Sequence, residues 1–134
     1  MEGQNIALSD ISSPALAYLG DSVLEVLVRC ALVEAGISSS KKLNERALMF
    51  VSAPAQAAAV KNILELLSEE ETAYFKRGRN IGHTNTPKHA SVGEYRMATG
   101  FETLFGFLKL TGKDARAKEL FDIAYALPLA DLKK

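Results

Sequence analysis

Apolar positions along the chain recur at intervals of three and four residues, and no stretch shows a convincing two-residue alternation. That pattern predicts helices throughout. Ser13-Pro14 suits a helix start, with Ser as cap and Pro in the first turn. The stripe Leu16, Leu19, Val23, Leu27 and Cys30 (or Ala31) carries this first helix towards a stop at Gly36. A short helix is expected over Lys42 to Val51. Ser52-Ala53-Pro54 restarts the chain, and Ala55 to Leu67 is rich in the strong helix formers Ala and Leu. Ser68 and Glu71 have the spacing of a capping box, opening a helix that ends in Lys76-Arg77-Gly78-Arg79. From Asn80 to Ala90 no apolar period survives, and Gly82, Thr84, Asn85, Thr86 and Pro87 mark a loop. Ser91 and Glu94 form a second capping box. The helix behind it runs to about Leu110, with Phe101, Leu104, Phe105 and Leu108 on its apolar side, and Gly112 ends it. A last helix covers roughly Asp114 to Ala126, and Pro128 closes the domain. The expectation is an all-α fold, one domain over residues 1–134.

Composition agrees with a folded domain and removes several classes. With 48% hydrophobic and 24% charged residues, the 134-residue chain is not a disordered one. Its one cysteine allows no intrachain disulfide, and no Cys/His cluster has zinc-ligand spacing. The longest uncharged run, Ala47 to Val60, spans 14 residues and contains Pro54, too short and too broken to cross a membrane. The first ten residues show no basic start followed by an apolar stretch, so a cytoplasmic protein with no membrane partner is expected.

The net charge of zero hides a segregation. Met1 to Val28 carries four acids and no Lys or Arg, whereas Lys76 to Met97 carries Lys76, Arg77, Arg79, Lys88 and Arg96 against the single acid Glu94. A locally basic segment in a neutral chain can bind a polyanion. Helix-dipole compensation alone accounts for Lys76, Arg77 and Arg79 near a helix C-terminus, but not for Lys88 and Arg96 beyond the loop. The loop adds Asn80, His83, Thr84, Asn85 and Thr86, polar groups suited to phosphate and sugar oxygens, and no aromatic side chain for base stacking. That set fits backbone recognition of a nucleic-acid duplex. His83 and His89 are possible bases that nothing in the sequence places near the acids described next.

Asp21 is the only charged residue between Ala15 and Leu24, and Glu102 the only one between Met97 and Leu108. A carboxylate on so apolar a helix must be paired, protonated, metal-bound or turned to solvent. Two such acids from two core helices can converge on one magnesium ion, which takes one or two protein carboxylates and completes its shell with water and phosphate. Solvated positions at the helix edges are an equally good reading of the pattern. Gly20 beside Asp21, and Gly100 and Gly106 around Glu102, would permit close helix approach. Glu25, one turn after Asp21, can join the same site or pair with Arg29 at i+4.

Leu19-Gly20-Asp21-Ser22-Val23-Leu24 resembles the signature of the ribonuclease III family, and Ala98-Thr99-Gly100-Phe101-Glu102-Thr103-Leu104-Phe105-Gly106 resembles its second helical motif. Ala17 to Asp21, the run Lys76-Arg77-Gly78-Arg79-Asn80, Thr86-Pro87-Lys88, Tyr95-Arg96 and Thr99 to Glu102 are closest to the miniature branch, Mini-ribonuclease III. The likeness covers about residues 14–126. It implies an endoribonuclease that cleaves double-stranded RNA with magnesium (Mg2+), Asp21 and Glu102 being catalytic metal ligands, and leaves 5′-phosphate and 3′-hydroxyl ends. It also implies a homodimer acting on the precursor of 23S ribosomal RNA, with a ribosomal protein or pre-ribosomal particle as a further partner. The larger family has acids where this chain has Pro14, Ala17 and Thr99. The 134 residues leave no room for that family's separate duplex-RNA-binding domain, so RNA contact is expected from Lys76, Arg77, Arg79, Lys88 and Arg96. Two rivals remain: a non-catalytic duplex-RNA binder of the same fold, and a helical protein-interaction module.

Overall fold

A computed structural model describes residues 6–81 and 90–133, and every regular element among them is helical. In order these are α1 (Ser13–Glu34), α2 (Ser40–Val51), α3 (Ala53–Lys61), α4 (Glu69–Arg79), α5 (Val92–Leu110), α6 (Asp114–Ala124) and α7 (Ala126–Asp131), with 3-10 turns at Leu8–Asp10 and Leu64–Leu66. Serines start the first five. Ser12, Ser39 and Ser52 each accept from the amide three residues on, and Ser68 and Ser91 complete reciprocal capping boxes with Glu71 and Glu94.

The fold is organised around α5. Every residue from Ala98 to Leu108 is buried except Glu102. A helix apolar on all sides must be enclosed on all sides. Here α1, α4 and α3 surround it most extensively. Phe50, Phe101, Phe105, Phe107, Phe121 and Tyr125 supply the bulk of the core, each at most 1% exposed. Burying each such ring is worth about 2–3 kcal/mol. The Tyr125 hydroxyl donates to the Phe50 carbonyl at 2.7 Å, so the one polar tip among these rings is satisfied.

Four expectations need correction. The buried ridge of α1 is Leu16, Gly20, Leu24, Val28 and Leu32; Leu19, Val23 and Leu27 are only partly buried and Cys30 is exposed. The ridge passes through Gly20, which has no hydropathy to announce it. The expected helix Ala55 to Leu67 ends at Lys61, because the Asn62 side chain is drawn 62 residues along the chain to donate to the Ala124 carbonyl at 3.0 Å. The last expected helix breaks at Tyr125, whose φ of −108° and ψ of 27° turn its ring into the core. Pro128 does not close the domain; it sits in the first turn of α7, where its missing N–H leaves no helical bond unmade.

Candidate active site

The site is made by the crossing of α1 and α5. A Cβ on Gly20 would overlap the Glu102 carbonyl and come within 2.8 Å of the Gly106 nitrogen; one on Gly106 would overlap the Leu16 carbonyl. Only glycine lets the two backbones meet there. Gly78 plays the same part on the opposite side, where α4 lies against Thr99 and Thr103 of α5. The Lys-Arg-Gly-Arg run is the last turn of α4, as the sequence pattern predicts.

Asp21 follows Gly20, and Glu102 is the residue whose backbone Gly20 abuts. The crossing therefore delivers both acids to one place. Their carboxyl groups lie within hydrogen-bonding reach of each other, Asp21 exposed and Glu102 half-buried. Burial, the Asp21 charge and the shared proton push the Glu102 pKa from its ordinary 4.5 up to about 8. One group acts in the opposite direction. The side chain of Gln56, on α3 and only 3% exposed, favours the ionised form of Glu102.

The two acids open into a cleft of about 260 Å³, lined also by Pro14, Ala17 and Tyr18 of α1, Tyr95 and Thr99 of α5, and Ile81. The Thr99 hydroxyl donates back to the Tyr95 carbonyl at 3.0 Å. Among the described residues no group of three or more His, Cys, Asp or Glu side chains converges. Sequence reasoning missed Gln56, although it stands as a lone amide in the run Ala53 to Val60. It also passed over Tyr18, which is 83% exposed beside Asp21.

Glu25 is elsewhere. It pairs with Arg29 at 3.1 Å and lines a groove between α1 and α2. The basic residues divide. Arg77 donates through Nε to Ser13 Oγ at 3.1 Å and through Nη2 to the Ile11 carbonyl at 2.7 Å, with its guanidinium over the Tyr74 ring. It ties the end of α4 to the start of α1. Arg79 reaches Asn80 Oδ1 at 3.2 Å and lies over Phe75. Lys76 and Arg96 are exposed, and the chain just after α4 brings Ile81 to the cleft. Lys88, His83 and His89 fall outside the described residues.

The model of the ribonuclease III domain family matches residues 14–113. A Mini-ribonuclease 3 of Clostridium tetani is 38% identical over 90% of this chain and 80% of its own length. That of Enterococcus faecalis is 44% identical over 81% of this chain and 83% of its own. A crystal structure of a protein from Fusobacterium nucleatum superposes with a TM-score of 0.79 at 30% identity, covering 87% of this chain and 93% of that one. Pro14, Ala17 and Thr99, the positions of the larger family's additional acids, all line the cleft, so the departures noted in the sequence fall together in this one site. With the family model spanning the α1–α5 crossing and relatives matching along most of their length, the chain belongs to the ribonuclease III family, in its Mini-ribonuclease III branch, and is an endoribonuclease.

Proposed function

We propose that the protein is a magnesium-dependent endoribonuclease specific for double-stranded RNA, with Asp21 and Glu102 as its catalytic metal ligands. The observation that carries this is the pair of carboxyls held within hydrogen-bonding reach at a glycine-lined helix crossing and opening into a cleft. Two acids pressed together destabilise each other's charge, and a hard divalent cation removes that conflict. The donor set fits magnesium, which needs one or two protein carboxylates and keeps most of its shell for water and phosphate. When bound, the ion supplies a lowered pKa for the attacking water and charge stabilisation at the scissile phosphate, giving 5′-phosphate and 3′-hydroxyl ends.

The remaining work falls to the chain's own side chains. The α1–α5 crossing fixes the two carboxylates relative to one another. Lys76, Arg79 and Arg96, with Lys88 in the undescribed stretch, contact backbone phosphates on either side of the cut. Arg77 contributes field at the same end while its hydrogen bonds hold α4 to Ser13 and Ile11. The active unit is a homodimer, each protomer cutting one strand. A largely apolar groove of about 340 Å³ supports this; Leu19, Val23, Val26 and Leu27 of α1 line it, with the Lys109–Asp114 ion pair at its edge. We assign the substrate to the 23S ribosomal RNA precursor, presented alone or with a ribosomal protein or within a pre-ribosomal particle. Among the described residues no helix is long and apolar enough to cross a membrane, in keeping with a cytoplasmic enzyme.

The test is cleavage of a perfect RNA duplex by the purified protein in magnesium and in EDTA, with end-group analysis. Magnesium-dependent cutting that leaves 5′-phosphates supports the reading. Binding without cutting would reduce the protein to a duplex-RNA binder, and no affinity for RNA would leave a helical interaction module.

A further inference from the structure

Arg77 differs from the other cations at the end of α4. Lys76 is exposed, and Arg79 bonds Asn80, the next residue in the chain. Arg77 is half-buried and turned back into the molecule. Its Nε donates to Ser13 Oγ and its Nη2 to the Ile11 carbonyl, on either side of the Ser12 cap that starts α1. Its guanidinium carbon lies 4.9 Å over the centre of the Tyr74 ring, and that ring stacks on Phe107 of α5 at 4.3 Å. Two of its three nitrogens and one face are thus committed within the protein, which leaves little of the fork for a phosphate. The next residue, Gly78, lies against Thr99 and Thr103 of α5. The end of α4 is held from two sides, by both helices that carry the acid pair.

We propose that Arg77 is a positioning residue for cleavage, fixing the basic end of α4 against the first turns of α1 so that a backbone gripped by Lys76 and Arg79 lies in register with Asp21 and Glu102. The inference rests on the reading of the α1–α5 cleft as the active site. Pro14, Ala17 and Tyr18, on the turns of α1 that Arg77 tethers, line that cleft together with Asp21. The exposed cations of α4 hold RNA, whereas the acids belong to α1 and α5. A shift of α4 along α1 changes where the phosphate sits without changing how strongly it is held. Misplacing a reacting group by about 1 Å costs up to about a hundredfold in rate.

Arg77→Lys is the informative change. It keeps the charge and loses the planar fork that meets two acceptors while lying on a ring. The readouts on the full chain are duplex affinity against salt and the single-turnover cleavage rate at saturating protein in magnesium, with thermal unfolding as the folding control. We expect affinity and salt slope to match the parent, because the charge remains, and the rate to fall at least about tenfold, within the range for a misplaced group. Ser13→Ala removes one of the two acceptors and no charge. It should slow cleavage about fivefold, the scale of one hydrogen bond, and add little to the loss in Arg77→Lys, since both break one tether. A parental rate in folded Arg77→Lys, with Asp21→Asn inactive, overturns the role of Arg77 and leaves the cleft as the site. A weaker affinity or flatter salt slope in Arg77→Lys, with the parental rate at saturation, makes it a phosphate contact and also overturns the proposal. Parental cutting by Asp21→Asn removes the cleft as the site and this inference with it. Should Arg77→Lys fail to fold, Ser13→Ala decides, and a parental rate there overturns the proposal.

Discussion

Glu102 is held at a disadvantage that the fold maintains. Its folded-state pKa of about 8 lies above the ordinary 4.5, so the folded protein keeps a proton that the unfolded chain releases. Stability is therefore lost as pH rises from about 4.5 to 8, and the penalty is complete above that window. Glu102→Gln should thus raise the stability of the metal-free protein at pH 9 by about 1–2 kcal/mol, discounted for partial solvation, and change it little at pH 4. Denaturant melts of both proteins at the two pH values check this; equal stabilities at pH 9 would contradict it. Glu71 has the opposite sign. Arg116 donates to both its oxygens at 2.9 Å, and Ser68 also donates to it through its amide, so its pKa is lowered. That contribution is present above the ordinary 4.5 and is lost as pH falls through the depressed folded value. Glu71→Ala strips Arg116 of its buried partner, leaving it Glu119 and the Leu66 carbonyl, and opens the capping box of α4. It should destabilise by about 2–4 kcal/mol, read by thermal melts at neutral pH.

At the scale of elements, the site depends on how closely α1 and α5 cross. Gly20→Ala places a methyl group into the Glu102 carbonyl, a backbone atom with nowhere to retreat. The expected loss is at least about 3 kcal/mol, at the upper end of overpacking effects, with cleavage falling in whatever fraction still folds. The same crossing explains what the sequence could and could not show. Helix type, the two capping boxes and the acid pair were legible because each is a local signal: serine with glutamate three residues on, or a lone charge in an apolar run. The small residues flagged beside the acids also proved to be contact points, as Gly20 and Gly106 show. The buried ridge of α1 was not legible, since its central member is a glycine with no hydropathy of its own. Nor was the break at Asn62 or at Tyr125, because each answers to a partner more than 60 residues away. Gln56 was missed for the same reason. Its neighbour Glu102 lies on a different helix, and only the packing of α3 on α5 brings them together.

The whole molecule has to grip a polyanion without a net positive charge. In the proposed function, affinity rests on the segregated basic residues Lys76, Arg79, Lys88 and Arg96. Arg77 is a poor probe, being tied to Ser13 and Ile11. Lys76, Arg79 and Arg96 are better ones. Each replaced by Ala should reduce the magnitude of the salt slope of log K by about 0.7–0.9, with similar loss on duplexes of different sequence. A slope unchanged in the folded triple variant would place the RNA elsewhere. The central claim is that the α1–α5 crossing exists to present two carboxylates to a divalent cation at the scissile phosphate. Its most direct test is single-turnover cleavage of duplex RNA in magnesium by Asp21→Asn, which keeps the shape of the side chain and removes the charge the cation needs. The account predicts a folded protein that binds duplex RNA as the parent does and cuts at least about a thousandfold more slowly, the scale of losing a catalytic group; cutting at the parental rate would contradict it.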